Sequence, residues 1–105
     1  MKLYKAIGAK YLPDGTNLND GLYLYGMAKA YDFVKLVESM GASFTREALM
    51  AKALRFTVKG NPFALPGVSS TTSGRDSFPI SQMRLIQFKD GTWTAIGKLQ
   101  NGRGK

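Results

Sequence analysis

Apolar residues recur at helical spacing through the first half of the chain, then alternate with polar ones near its end. From Lys2 to Tyr11 the apolar positions Leu3, Tyr4, Ile7 and Tyr11 are opposed by Lys2, Lys5 and Lys10. This predicts a short helix that starts at Met1 without a cap and stops before Pro13, in front of the loop residues Asp14-Gly15-Thr16-Asn17. A second, longer helix is predicted between the cap Asp20 and the stop at Gly41. Its apolar stripe runs through Tyr23, Met27, Ala30, Val34 and Val37, widened by Phe33 and Met40. Lys29, Asp32, Lys35 and Glu38 fall on the other side as pairs of alternating sign. Gly26 and Ala30 thin one flank, as close packing requires. A third helix begins at Thr45, with Glu47 near its positive end, Phe44 placed to staple onto Leu49, and Leu49, Ala53 and Phe56 as its stripe.

The period changes after Lys59. Gly60, Pro62, Pro66, Gly67 and the run Ser69 to Ser73 before Gly74 predict an irregular polar stretch, with one short strand near Val68. Two β-type runs, Ile80 to Phe88 and Thr92 to Leu99, flank Asp90-Gly91, a strong hairpin signal. A two-residue loop pairs Lys89 with Thr92, Phe88 with Trp93 and Ile86 with Ala95. Ile86, Phe88, Trp93 and Ala95 then share one face, and Met83, Leu85 and Ile96 the other. Both faces are partly apolar, so a cover on each is expected. The chain thus reads as a helical part over 1–59, an irregular loop over 60–79, a hairpin over 80–99 and a flexible tail over 100–105.

At 105 residues, with 44% hydrophobic and 21% charged side chains, the length suits one domain, and wholesale disorder is excluded. Cysteine and histidine are absent. That removes disulfide frameworks, thiol nucleophiles, zinc fingers and histidine-based triads, and no pair of carboxylates has convincing catalytic spacing. The chain is read as non-enzymatic, with no cofactor. Charge is lopsided: residues 1–50 hold six bases and five acids, whereas residues 51–105 hold nine bases against Asp76 and Asp90. The bases are scattered, so a solvated surface explains them, and an anionic partner is the competing explanation. The N-terminus has no apolar run of signal-peptide type, and no segment approaches a membrane span.

Candidate binding motifs are few. Counted from Asp14, the calcium-loop positions that need Gly and Glu hold Asn19 and Tyr25, so this segment reads as a helix-capping loop. The Ser69–Gly74 run lacks phosphate-loop spacing and opens no helix. Asp76 before Phe78-Pro79 reads as a turn residue. Among the aromatic residues, Tyr23 and Tyr25 stand out, because the start of a helix at a cleft can present an aromatic wall.

Taken in order, a set of motifs spans nearly the whole chain. They are Tyr25-Gly26-Met27-Ala28-Lys29-Ala30-Tyr31-Asp32, Gly41, Phe44-Thr45-Arg46-Glu47, Leu65-Pro66-Gly67-Val68, Thr72-Ser73-Gly74-Arg75-Asp76, Phe78-Pro79-Ile80-Ser81-Gln82-Met83 and Phe88-Lys89-Asp90-Gly91-Thr92-Trp93. This succession resembles the C-terminal part of the periplasmic substrate-binding proteins of branched-chain amino acid ABC transporters, the leucine/isoleucine/valine type. The resemblance implies an α/β fold, the C-terminal segment of a type I periplasmic-binding-protein fold, with three helices followed by a short strand and a β-hairpin. It implies binding of an amino-acid-like solute between two lobes, with a membrane permease as partner, a periplasmic location and no nucleic acid. Tyr23, and after it Tyr25, matches the aromatic that faces the cleft in relatives. Relatives often read Ser-Pro-Thr-Asp where this chain has Ser73-Gly74-Arg75-Asp76. Whole family members are far longer, and the segments bearing most of their ligand contacts lie outside the matched part. The chain is therefore expected to be a truncated or stand-alone segment that covers its apolar stripes by forming a homodimer. The alternative is a small basic α+β interaction domain that binds nucleic acid or an acidic protein through residues 52–105.

Overall fold

A computed structural model describes residues 1–42 and 44–103. Helix α1 spans Lys2–Tyr11 and ends as Leu12 turns extended ahead of Pro13. Tyr4 and Gly8 are its buried residues. The Tyr4 hydroxyl donates to the carbonyl of Leu18 at 2.9 Å. A Cβ built on Gly8 would lie 2.7 Å from a Leu18 methyl group, so the missing side chain lets the helix close onto the 12–20 loop. Leu3 and Tyr11, read as part of the apolar stripe, are exposed.

Helix α2 spans Gly21–Glu38, and Asp20 caps it by accepting from the Leu22 amide at 2.9 Å. It stops two residues before Met40, and Gly41 turns the chain away at φ 64°. Its buried face differs from the stripe expected from sequence. Ala28, Asp32 and Leu36 are buried, while Ala30, Phe33 and Val34 are exposed, and a Cβ on Gly26 would meet nothing. The face is rotated because Asp32 finds partners in distant segments. Its Oδ1 accepts from Asn61 Nδ2 at 2.9 Å and its Oδ2 from the Ser70 hydroxyl at 2.5 Å. Asn61 Nδ2 also donates to the Ala28 carbonyl at 2.8 Å. A carboxylate supplied with two donors can be buried, and here it ties α2 to the loop that follows Lys59.

Helix α3 spans Arg46–Ala53, where the Thr45 hydroxyl accepts from the Ala48 amide at 3.1 Å. Strands β1 (Thr57–Val58) and β2 (Ser70–Thr71) form an antiparallel ribbon pairing Thr57 with Thr71 and Val58 with Ser70. β1 lies within the part read as helical. Thr72 fastens this ribbon to the end of α3: its hydroxyl donates to the Ala53 carbonyl at 2.6 Å and accepts from the Phe56 amide at 3.1 Å.

Strands β3 (Gln82–Lys89) and β4 (Thr92–Asn101) make the hairpin in the expected register, with Lys89 opposite Thr92, Phe88 opposite Trp93 and Ile86 opposite Ala95. Asp90 and Gly91 both take positive φ, 51° and 76°, the requirement of a tight turn that follows the strand twist. Gly91→Ala should therefore destabilise the chain by about 1 kcal/mol, read as a lower urea midpoint with an unchanged slope. Residues 101–103 are not the flexible tail expected of them. β4 runs to Asn101, the Gly102 amide donates to the Ser81 carbonyl at 2.7 Å, and Arg103 Nε reaches Asp76 Oδ2 at 2.6 Å. Arg103 Nη2 donates to the carbonyls of Thr71 and Phe78. The remaining tail residues, Gly104 and Lys105, lie outside the described residues.

Neither face of the hairpin is covered: Met83, Leu85, Ile86, Phe88, Trp93 and Ile96 are all exposed, contrary to the cover expected from their pattern. The described residues thus form a small mixed α/β domain of three helices and two small antiparallel sheets. Its buried apolar residues are few: Tyr4, Ala28, Leu36, Val58 and Val68. The accessible surface is 8382 Å², against about 5,800 Å² for a compact monomer of 11.5 kDa. The radius of gyration is 16.3 Å, against about 13 Å for a compact chain of this length.

Candidate functional site

Both tyrosines singled out from sequence lie in the first turns of α2, and the helix separates them. Tyr25, 60% exposed, lines a groove of about 280 Å³ between the start of α2, the 63–68 loop and the entry to β3. Tyr23, 40% exposed, is two residues away on a helix and does not line it. Leu24, Ala28, Phe63, Leu65, Val68 and Ile80 supply an apolar lining, and Lys29 and Gln82 the polar groups.

The groove takes its shape from bonds that only the folded chain makes. Ala28 and Val68, both buried, are part of its wall, and Ala28 is held by Asn61, whose side-chain nitrogen also donates to Asp32. The Asn61 side-chain oxygen accepts from the Phe63 amide at 3.0 Å and so orients the loop that carries Phe63. Gln82 Oε1 accepts from the Ser69 amide at 2.8 Å, which ties β3 to the same loop. Lys29 Nζ lies 5.4 Å from the centre of the Tyr25 ring and 3.8 Å from Asp32 Oδ2. The groove thus combines an aromatic face, an aliphatic wall and one cation. Such a lining is complementary in chemistry to a small amphipathic molecule with an anionic end. Of its residues, sequence reasoning found Tyr25 and missed Phe63, Val68 and Ile80. Phe63 carries no periodic signal, and the β-type pattern read at Val68 and Ile80 does not say which groove they border, since all three sit in irregular backbone.

The other candidate segments serve local structure. Asp20 is occupied as the α2 cap, and Asn17 Oδ1 accepts from the Asn19 amide at 3.0 Å. Among the described residues no three His, Cys, Asp or Glu side chains gather in a metal-binding group. Asp76 is the turn residue its position suggested: its Oδ1 accepts from the Phe78 amide at 2.9 Å. That bond, followed by the one from Arg103, holds the Asp76 carboxyl below its ordinary value. A carboxyl with a lowered folded-state pKa stabilises the fold above its unfolded value, and the contribution is lost as pH falls through the folded one. Acid unfolding of the parent chain should therefore contain a component, at and below about pH 4, that Asp76→Asn lacks. The check is a pair of urea titrations at pH 3 and pH 6.

Among the described residues no helix is long and apolar enough to cross a membrane. Comparisons with protein-family models, curated proteins and solved structures find no match for the chain. The family resemblance rests on the ordered motifs alone.

Proposed function

We propose that the chain is a non-catalytic solute-binding module: the C-terminal part of a type I periplasmic-binding-protein fold that serves an amino acid ABC transporter. The observation that carries this reading is the Tyr25 groove, with its apolar lining and Lys29 at one side. A branched-chain side chain would lie against Leu24, Phe63 and Val68, and its carboxylate would face Lys29. At about 280 Å³ the groove is near the lower limit of small-molecule sites, which suits a single amino acid. Such a groove is one wall of a cleft. The excess of exposed apolar surface agrees with a chain that packs against further protein. Under this reading the location is periplasmic and the permease is a partner.

Titration calorimetry with leucine, isoleucine and valine tests the proposal. One of them should bind saturably. Tyr25→Ala should weaken that binding by about tenfold, while Tyr23→Ala changes it less than twofold. Equal losses at both positions would place the ligand elsewhere, and absence of binding to all three would remove the amino acid reading.

The free chain also carries an uncovered β-face. Ile86, Phe88 and Trp93 on one side of the hairpin are 57%, 59% and 65% exposed, and the Phe88 ring packs at a tilt of 55° against Trp93 with ring centres 5.0 Å apart. We assign this face to a second copy of the chain. The three side chains present on the order of 450 Å² of apolar surface. Interfaces are a little over half apolar, so this corresponds to about 800 Å² per partner, the standard contribution to a stable complex.

A further inference from the structure

The eight bases among the described residues from 51 to 103 do not form one basic face. Arg84, Lys89 and Lys98 lie along the hairpin, and Arg103 is bound to Asp76. Lys52, Arg55, Lys59 and Arg75 instead converge on two adjoining grooves that share Arg55 and Thr57. The first, about 450 Å³, lies between α2, the end of α3 and β1, where Tyr31, Lys35 and Phe56 also line it. The second, about 510 Å³, is open to solvent and bordered by residues 72–75. No acidic residue is among those lining either groove. Lys35 is paired with Glu38 at 2.8 Å, but none of the three ion pairs among the described residues involves Lys52, Arg55, Lys59 or Arg75.

The fold creates this cluster deliberately in one respect. Thr72 binds both ends of the α3–β1 connection, Ala53 and Phe56, and so brings the 72–75 turn against Arg55. The guanidinium Nη2 lies 3.6 Å from where a Cβ on Gly74 would stand, an ordinary contact distance that places Arg55 against the turn. The Ser73 amide and carbonyl are both bonded to Asp76, which makes the turn firm. Like charges gathered without a counter-charge repel, and a multivalent anion relieves that repulsion. Arginine forks match phosphate oxygens, and lysines add point charges.

We propose that the two grooves form one binding site for a small phosphate-bearing anion of two or more charges, centred on Arg55. Lys52, Lys59 and Arg75 surround the phosphates, Thr57 and Ser73 offer hydroxyls, and Tyr31 and Phe56 offer an aromatic wall to any ring the anion carries. The site shares no lining residue with the Tyr25 groove and stands independently of the amino acid reading.

The test uses calorimetry and thermal melting of the whole chain with pyrophosphate, ATP and inorganic phosphate, each against sodium chloride of equal ionic strength. Pyrophosphate and ATP should bind saturably, one per chain, and raise the melting temperature above the chloride control. Tighter binding of ATP than of pyrophosphate would show that the aromatic wall is used. Arg55→Gln should weaken pyrophosphate on the order of tenfold or more, whereas the double variant Arg84→Gln/Lys98→Gln, which removes more charge from the hairpin, should change it less than twofold. In the unaltered chain, amide resonances of Thr57 and residues 72–75 should shift on titration, a readout that does not depend on any variant folding. Absence of saturable binding overturns the proposal. So does an equal loss in the hairpin variant, or shifts centred on the hairpin, since either would mean a diffuse basic field of the kind that attracts nucleic acid.

Discussion

Asp32→Ala should destabilise the folded chain by about 3 kcal/mol and lower its melting temperature by roughly 10–20 °C, the largest effect expected of any single substitution. Asp32 is 6% exposed and accepts two side-chain hydrogen bonds, from Asn61 and Ser70. Bonds to a charged acceptor contribute more than neutral ones, and removing the acceptor leaves the Ser70 hydroxyl buried without this partner. The loss would also reach the candidate groove, because Asn61 holds Ala28 and orients Phe63 there. Asp32→Asn keeps the shape and one acceptor oxygen, so it should cost clearly less. Urea denaturation followed by far-UV circular dichroism measures both. Equal stability of the Ala variant and the parent would show that this network does not hold α2 to the 60–72 segment.

The second large effect is on association. Sedimentation velocity at tens of micromolar should give a mass twice the 11.5 kDa of one chain. Ile86→Lys, in the middle of the apolar hairpin face, should weaken that association more than tenfold by placing a charge where a methyl surface is desolvated. Thr94→Lys adds the same charge to the opposite face, where Thr94 pairs with Gln87, and should leave association nearly unchanged. Raising the salt concentration should tighten the dimer, because each copy carries a net charge of +8 and the two repel. A monomer at 100 micromolar, or equal effects of the two lysines, would reject this face as the interface. The surface of one chain exceeds that of a compact monomer by about 2,600 Å², so an interface of about 800 Å² per partner would cover roughly a third of the excess.

The uncovered surface has a second component on α2, where Ala30, Phe33 and Val34 form an exposed strip. These residues belong to the stripe that the periodicity marked for burial. The amphipathic signal was sound as a statement about chemistry, yet in this chain the side that packs inward is the one holding Asp32. Helical periodicity weighs side chains one element at a time. It had no means of knowing that Asn61 and Ser70, 29 and 38 residues further on, would arrive to satisfy a carboxylate. The same limit explains Arg103. In sequence it is one base in a polar tail, and its three acceptors on Asp76, Thr71 and Phe78 meet only when the hairpin folds back on the loop.

Tyr25 and Tyr23 show how far a motif reaches. Their place at the start of α2 was legible, since Asp20 capping and the helical period define it. Which of the two borders a groove depends on where residues 63–68 and Ile80 come to rest, and nothing local specifies that. The basic cluster around Arg55 was hidden for a related reason: its members are spread from Lys52 to Arg75, and Thr72 gathers them by bonding to Ala53 and Phe56.

Sequence alone determined the elements whose causes are local. Asp20 and Thr45 are caps because a short acceptor side chain reaches the first free amides, Pro13 follows the end of α1, and Asp90-Gly91 sets the hairpin register because both residues tolerate positive φ. The tertiary structure decided which face of α2 is inside, which tyrosine lines a groove, which bases meet and which apolar faces stay open. Each of those depends on hydrogen-bond partners and packing surfaces far away along the chain, and their free energy exists only once the segments are together.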